Sequence, residues 1–255
     1  GVNMKTIKRE HNAPFLLVYG DTNSGKTTSI VRTAPGSILY ISAEGDAWKS
    51  VDVCEAFKEK IDIEIVQPES HEDLMDSLNK MIAEAIAGKF PHKTVVFDSG
   101  TFWMNVKLAI RVEDDRNDGR TGVDAGKLSA QSQSDWTEVN TANSQMSRLT
   151  DLLKTLSQYG VMVIMTAQLQ ENPKWNRELE AGPCFNYKDY NKALKGYFDY
   201  IGFTIPNLDE HGTVQYPPKL SFDDQQGYLV KWRGVQPKKL TTPFDLSKRF
   251  AWFCA

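Results

Sequence analysis

The sequence has few cysteines and histidines and lacks long apolar runs. Its 255 residues include three cysteines and four histidines, and their spacing fits neither a metal site nor a disulfide framework. No apolar stretch approaches the ~20 residues that a membrane-spanning helix requires, and no signal peptide is visible. We therefore expect a cytoplasmic protein without a membrane partner.

The chain also lacks a strong excess of charge of either sign. Its 30 Lys and Arg against 33 Asp and Glu give a formal net charge of −3, so any nucleic-acid contact must be confined to a local patch. A hydrophobic fraction of 40% and a charged fraction of 25% are ordinary for a globular protein. We expect an N-terminal tail over residues 1–13 and a single α/β domain over residues 14–255.

An apolar run from Phe15 to Tyr19 is followed at once by the pattern G-x-x-x-x-G-K-T. The glycines let the backbone curl so that N–H groups point at phosphate oxygens, and the loop opens onto the positive end of a helix. In such a loop Lys26 reaches the β- and γ-phosphates, and the Thr27 hydroxyl ligates Mg²⁺. The residues expected to bind the nucleotide are Gly20, Asp21, Thr22, Asn23, Ser24, Gly25, Lys26, Thr27 and Thr28.

Two further apolar runs lead to acidic residues. Residues 37–42 predict a strand that leads to Glu44, and residues 94–99 predict a strand that carries Asp98. Open α/β sheets bind their ligands at the carboxyl ends of strands. In a chain with a phosphate loop, we therefore expect Asp98 close to Mg²⁺, usually through water.

A third buried strand is predicted over residues 161–166 and leads to Gln168. A γ-phosphate sensor and an ordinary surface residue both fit this position. Apolar residues at helical spacing predict helices over residues 48–60, 70–88, 101–112 and 146–159.

Two stretches lack hydrophobic periodicity and are expected to be mobile loops. They are residues 113–135 and residues 169–195. The charges of the first nearly cancel, so a DNA-binding element and a solvated loop both fit. The second interleaves aromatic and cationic side chains, which either clamp single-stranded nucleic acid or cover a domain edge. These side chains are Trp175, Phe185, Tyr187 and Tyr190 with Lys174, Arg177, Lys188, Lys192 and Lys195.

The C-terminal part predicts strands over residues 197–205, 213–222 and 228–232. Their short connections are typical of antiparallel hairpins that extend a sheet rather than form a second domain. From residue 231 to residue 249 the charge balance is basic.

Four segments together resemble the ATPase core of the RecA recombinase superfamily, and most of all the small phage-borne AAA/RecA-type ATP-binding proteins that include single-strand annealing proteins. They read GDTNSGKTT, SILYISAEGDA, TVVFDS and VMVIMTAQ. The resemblance implies a RecA-like P-loop NTPase: a mainly parallel sheet flanked by helices, with antiparallel strands added at the C-terminal side. It also implies ATP and Mg²⁺ as cofactors, Glu44 as the residue that orients or deprotonates the attacking water, and Gln168 as the γ-phosphate sensor.

The segment around Lys231 is similar to another feature of RecA-type filaments. In those filaments a Lys-x-Lys pair ahead of a Pro-Phe reaches the nucleotide of the neighbouring subunit. Here Lys231 and Arg233 precede Pro243 and Phe244, with Arg in place of the second Lys and a longer spacer. The resemblance implies a homo-oligomer with nucleotide near the subunit interface, and catalytic roles for Lys231 and Arg233 in trans.

Together these patterns favour a Mg²⁺-dependent ATPase that couples ATP to single-stranded DNA binding in phage-type recombination or annealing, in the host cytoplasm if phage-encoded. Two alternatives stay open. One is a nucleotide-gated assembly or regulatory ATPase without DNA, which the nearly neutral stretch 113–135 allows. The other is a nucleotide-kinase-type phosphotransferase that uses the same stretch as a lid. The basic C-terminal segment favours DNA binding.

Overall fold

The structure is a computed structural model that describes residues 12–45, 48–56, 61–111, 136–224 and 227–254. Within these ranges, nine strands form one sheet in the order β3-β2-β4-β5-β1-β7-β8-β9, and β6 pairs with β5. The strands are β1 (Phe15–Gly20), β2 (Ile38–Ser42), β3 (Ile63–Val66), β4 (Thr94–Asp98), β5 (Met162–Glu171), β6 (Ala181–Pro183), β7 (Tyr200–Leu208), β8 (Val214–Ser221) and β9 (Thr241–Pro243).

Helices connect the parallel strands and close the chain. They are α1 (Lys26–Thr33), α2 (Trp48–Ala56), α3 (His71–Ile86), α4 (Gly100–Phe102), α5 (Trp136–Ser157), α6 (Lys188–Tyr197), α7 (Leu246–Arg249) and α8 (Ala251–Cys254). A π-helical turn, Trp103–Lys107, continues α4. The helix predicted over residues 101–112 therefore begins one residue earlier and contains a change of helical pitch.

The parallel part of the sheet is buried on both faces. Strands β3, β2, β4, β5, β1 and β7 pair in parallel, and the residues of β1 and β2 are all buried. Alternate residues enter two core clusters: Leu17 packs with α3 and α5, whereas Leu16 and Val18 pack with α1 and α2. Coverage by helices on both sides explains why these strands read as continuous apolar runs.

The C-terminal strands are antiparallel. Strand β8 pairs with β7 and with β9 in antiparallel register, which confirms the predicted fold class. The prediction of a strand over residues 228–232 is wrong, because this segment makes only isolated β-bridges. Ala181 pairs with Tyr228, and Ile201 pairs with Lys231.

About half of the region predicted to be irregular over residues 169–195 forms secondary structure. Strand β5 continues to Glu171, β6 pairs with it, and α6 begins at Lys188. Phe185 and Tyr190 are 2% and 1% exposed, and the Asn191 side-chain amide donates to the Phe185 carbonyl at 2.6 Å. Burial of apolar area stabilises this segment although its composition is polar.

Several expectations fall partly or wholly outside the described residues. The loop expected over residues 113–135 lies outside them, as do residues 1–11 of the expected N-terminal tail. Among the helices that the structure does describe, none is both long enough and apolar enough to cross a membrane. We call the side of the sheet where β1, β2 and β4 end the carboxyl edge, and the side where β1 and β7 begin the amino edge.

Candidate functional site

The loop between β1 and α1 is shaped by glycine and by the antiparallel strands behind it. Gly25 has a φ of +79°, and a Cβ at this position would lie 3.1 Å from Cγ of Pro218 in β8. The left-handed backbone and the close proline both disfavour a side chain at this position. The buried Ser24 hydroxyl lies 2.7 Å from the Thr204 hydroxyl of β7. The loop is therefore held in a curled shape by its own chain.

The Lys26 ammonium lies inside this loop. It donates to the carbonyl oxygens of Gly20 at 2.8 Å and Asp21 at 2.7 Å. Burial lowers the pKa of Lys26, and the nearby carboxylates of Asp98, Asp21 and Glu44 partly offset that effect. A bound phosphate would give the Lys26 ammonium an anionic partner in place of these carbonyl groups. Phosphate binding therefore favours the charged form of the lysine.

Asp98 is held by hydroxyl groups from several elements. Thr27 donates to Oδ2 of Asp98 at 2.9 Å, the Tyr40 hydroxyl donates to the same oxygen, and Thr166 donates to Oδ1. A carboxylate beside a threonine hydroxyl is an oxygen donor set that suits Mg²⁺, which usually retains waters and takes few protein ligands. Thr27 and Asp98 therefore fit the metal that the sequence analysis expected.

Glu44 follows β2 and is exposed. Its Oε1 accepts a hydrogen bond of 2.9 Å from the Ser99 hydroxyl, and the same hydroxyl accepts from the Phe102 N–H at 3.1 Å as the N-cap of α4. The Ser99 hydroxyl thus orients the carboxylate of Glu44, and the exposure of this residue is compatible with a base that acts on water.

Gln168 lies beside the phosphate loop. It pairs in register with Gly20, its side chain is exposed, and its N–H donates to the Thr101 hydroxyl at 3.0 Å. The sequence analysis expected this strand to end before Gln168. In the structure, β5 includes Gln168 and continues to Glu171. Pairing with β6 supplies hydrogen-bond partners for this extension.

A cavity of about 280 Å³ opens where these residues meet. It is lined by the loop residues 22–28 together with Glu44, Asp98 and Gln168. Pockets for whole small molecules are typically ~300–1,000 Å³, so this volume suits the phosphate end of a nucleotide. Within the described ranges, no group of three or more His, Cys, Asp or Glu side chains is placed to hold a metal. The remaining lining residues are Lys49, Ser50, Ser99 and Ala167.

Lys231 and Arg233 lie at the other side of the sheet. The backbone of Lys231 forms an isolated β-bridge with Ile201 near the start of β7. The Lys231 ammonium donates to the Phe198 carbonyl at 2.6 Å. Arg233 forms an ion pair with Asp199. Both residues therefore lie at the amino edge, away from the cavity of their own subunit, and a role in trans stays a prediction.

Sequence reasoning missed the side chains that orient the carboxylates. Tyr40 and Thr166 hold Asp98, and Ser99 holds Glu44. A signal for the first two was present, because each is a polar residue within an apolar strand. Which carboxylate they face depends on strand order, since β4 lies between β2 and β5.

The fold and the site define a P-loop NTPase, a nucleotide-binding domain whose phosphate loop joins a buried parallel strand to a helix. Residues 13–233 match the model of a family described as an AAA domain, and the chain belongs to that family. A search of curated proteins found no match to the chain.

Proposed function

We propose that the protein is a Mg²⁺-dependent ATPase that hydrolyses ATP to ADP and phosphate. One observation carries the proposal: Lys26 and Thr27 of α1, Asp98 of β4 and Glu44 after β2 line a single cavity. A nucleotide-binding domain without hydrolysis does not need an exposed glutamate beside the phosphate loop. Positioning and charge stabilisation are the main requirements of phosphoryl transfer, and these residues supply both.

Each residue has a distinct role in the reaction. The loop N–H groups and Lys26 bind the phosphates, and Thr27 and Asp98 would hold Mg²⁺, which neutralises phosphate charge when bound. Glu44 accepts a proton from water as the water oxygen forms a bond to the γ-phosphorus. The bond between that phosphorus and the bridging oxygen breaks, and ADP leaves. Gln168 contacts the γ-phosphate and distinguishes the two nucleotide states.

We further propose that the nucleotide state controls binding of single-stranded DNA by a homo-oligomer, in phage-type recombination or annealing in the cytoplasm. Hydrogen bonds connect the cavity to residues 169–195, one of the two stretches expected to bind DNA. Thr101 accepts from the N–H of Gln168 at 3.0 Å, and Asn105 of the π-helical turn accepts from the Asn186 N–H at 2.9 Å. A change at the γ-phosphate thus has a route through the helix that leads towards residue 111.

The cations rather than the aromatic rings support the DNA contact. Phe185 and Tyr190 are buried in the core, and Trp175 and Tyr187 pack against it, so covering a domain edge describes these rings better than clamping bases does. The exposed Lys174 and Arg177 line a separate cavity after β5. Lysine and arginine side chains at a surface bind the phosphate backbone without regard to sequence.

An ATPase assay with and without single-stranded DNA, at two salt concentrations, tests both parts. We expect Mg²⁺-dependent phosphate release that DNA stimulates, with weaker stimulation at high salt because phosphate contacts release counterions. The Lys26→Ala variant is the blank. If DNA does not change the hydrolysis rate at either salt concentration, the result favours the nucleotide-gated assembly protein. A phosphorylated small-molecule product favours the phosphotransferase. No release above the blank contradicts the proposal.

A further inference from the structure

A second lysine lines the cavity beside the one in the phosphate loop. Among the described residues that line it, Lys26 and Lys49 are cationic, and Glu44 and Asp98 are anionic. Lys49 lies in the first turn of α2 and is exposed. The phosphate-loop motif does not include this position, and the sequence analysis assigned it no role.

The packing of α2 places Lys49 at the level of the phosphates. The Cys54 thiol lies 3.9 Å from the Thr28 carbonyl of α1, so this part of α2 is level with the first turn of α1. Both helices start at the carboxyl edge and return to the next parallel strand, so they run in the same direction. Lys49 precedes Cys54 by five residues, a rise of about 7.5 Å along the helix, which brings it level with the phosphate loop.

The charge of the cavity also favours a second cation. The carboxylates of Glu44 and Asp98 cancel the charges of Lys26 and Lys49. Without Lys49, the lining would carry a net negative charge where a magnesium–nucleotide complex with a net charge of about −2 must bind. Other cations expected to complete the site, Lys231 and Arg233, lie at the amino edge.

We propose that Lys49 binds the γ-phosphate from α2, on the side of the cavity that carries Glu44, and thereby makes the site select triphosphate over diphosphate. This inference rests on the proposed function, because it assigns Lys49 to the same nucleotide. The α- and β-phosphates are cradled by the loop N–H groups. The γ-phosphate extends beyond that cradle towards Glu44, so a cation on α2 acts on the group that hydrolysis removes.

Calorimetric titration with Mg-ADP and with Mg-bound β,γ-imido-ATP tests the inference on the full chain. For Lys49→Ala we expect the affinity for the imido analogue to fall about tenfold, as for the loss of one charge-assisted hydrogen bond. The affinity for ADP should change by less than about twofold. Lys49→Arg should keep most of the preference, since it retains the charge. Lys80→Ala, an exposed lysine of α3, is the matched control and should leave both affinities unchanged.

The outcomes separate this inference from the proposed function. Equal losses for both nucleotides in Lys49→Ala, or no loss for either, overturn the role of Lys49. The role of Lys49 is also overturned if the wild-type protein binds the imido analogue no more tightly than ADP. A wild-type protein that shows the Lys49-dependent preference but releases no phosphate keeps the inference and contradicts the proposed hydrolysis. Circular dichroism of each variant verifies that it is folded.

Discussion

The two edges of the sheet both carry charged side chains but use them differently. At the carboxyl edge, hydroxyl groups orient the carboxylates of Asp98 and Glu44 towards a cavity. At the amino edge, the Lys231 ammonium donates to two backbone carbonyls and Arg233 pairs with Asp199 of the same chain. The oriented carboxylates of the first arrangement line an open cavity, whereas the cations of the second are paired within the chain. Sequence motifs alone do not distinguish them.

The largest expected effect is on catalysis at the carboxyl edge. Glu44→Gln keeps the shape of the side chain but removes the proton acceptor, so we expect the hydrolysis rate to fall at least ~100-fold, the usual contribution of a general base. ATP affinity should stay within about threefold. Single-turnover phosphate release and calorimetric titration measure the two quantities. A variant with wild-type turnover would remove Glu44 from the mechanism.

A buried histidine at the same edge should control stability rather than activity. His71 begins α3, accepts a hydrogen bond of 3.3 Å from the Trp103 indole, and has its pKa lowered to about 4, first by burial and then by Arg111. The unfolded chain binds a proton near pH 6.5, whereas the folded one does not, so stability is lost as pH falls from 6.5 towards 4.

His71→Gln keeps a hydrogen-bond acceptor for Trp103 but does not titrate. Urea unfolding should show that the variant loses less stability than the wild type between pH 7 and pH 4, by about 2–3 kcal/mol. Parallel pH profiles of the two proteins would exclude His71 as the source of the acid sensitivity.

Ser99 should have a smaller effect, since it acts through Glu44. Ser99→Ala removes the hydrogen bond to Glu44, and we expect kcat to fall about tenfold, or ~1.4 kcal/mol, with little change in KM for ATP. Ser99→Thr retains a hydroxyl and should restore most of the rate. A change in KM without a change in kcat would mean that Ser99 helps to bind the nucleotide rather than to orient the glutamate.

The smallest effect on the isolated subunit is expected at the amino edge. The Arg233 side chain is 67% exposed in its ion pair with Asp199, and such surface pairs contribute less than ~1 kcal/mol. Arg233→Ala should therefore barely change urea unfolding. It should impair hydrolysis only if subunits assemble around a shared nucleotide. Mixing it with Lys26→Ala subunits then restores part of the activity, and an inactive mixture counts against a role in trans.

The fold class and the location of the cavity could be predicted from the sequence because their signals are local. Buried parallel strands read as apolar runs, and Asp98, Glu44 and Gln168 lie at or just beyond such runs. Parallel strands place these positions at one edge of the sheet. The structure puts all three beside the phosphate loop, while their chemical roles stay predictions.

The remaining features depend on contacts between distant parts of the chain. Tyr40 reaches Asp98 only because β2 lies next to β4, and no local pattern specifies that pairing. Residues 169–195 were expected to be irregular from their polar composition. Tertiary packing of Phe185 and Tyr190 stabilises the segment nonetheless, which is a common reason for propensity to fail.

The contacts behind the phosphate loop determine how much of the chain is needed to bind a nucleotide. Pro218 of β8 packs on Gly25, and Thr204 of β7 contacts Ser24, so these two strands support the phosphate loop. A shortened protein that ended before β7 would keep the phosphate-loop motif but lose this support. Nucleotide binding would then have to order the loop, which would weaken the affinity for the nucleotide. The minimal nucleotide-binding unit therefore extends far beyond the motif that identifies it.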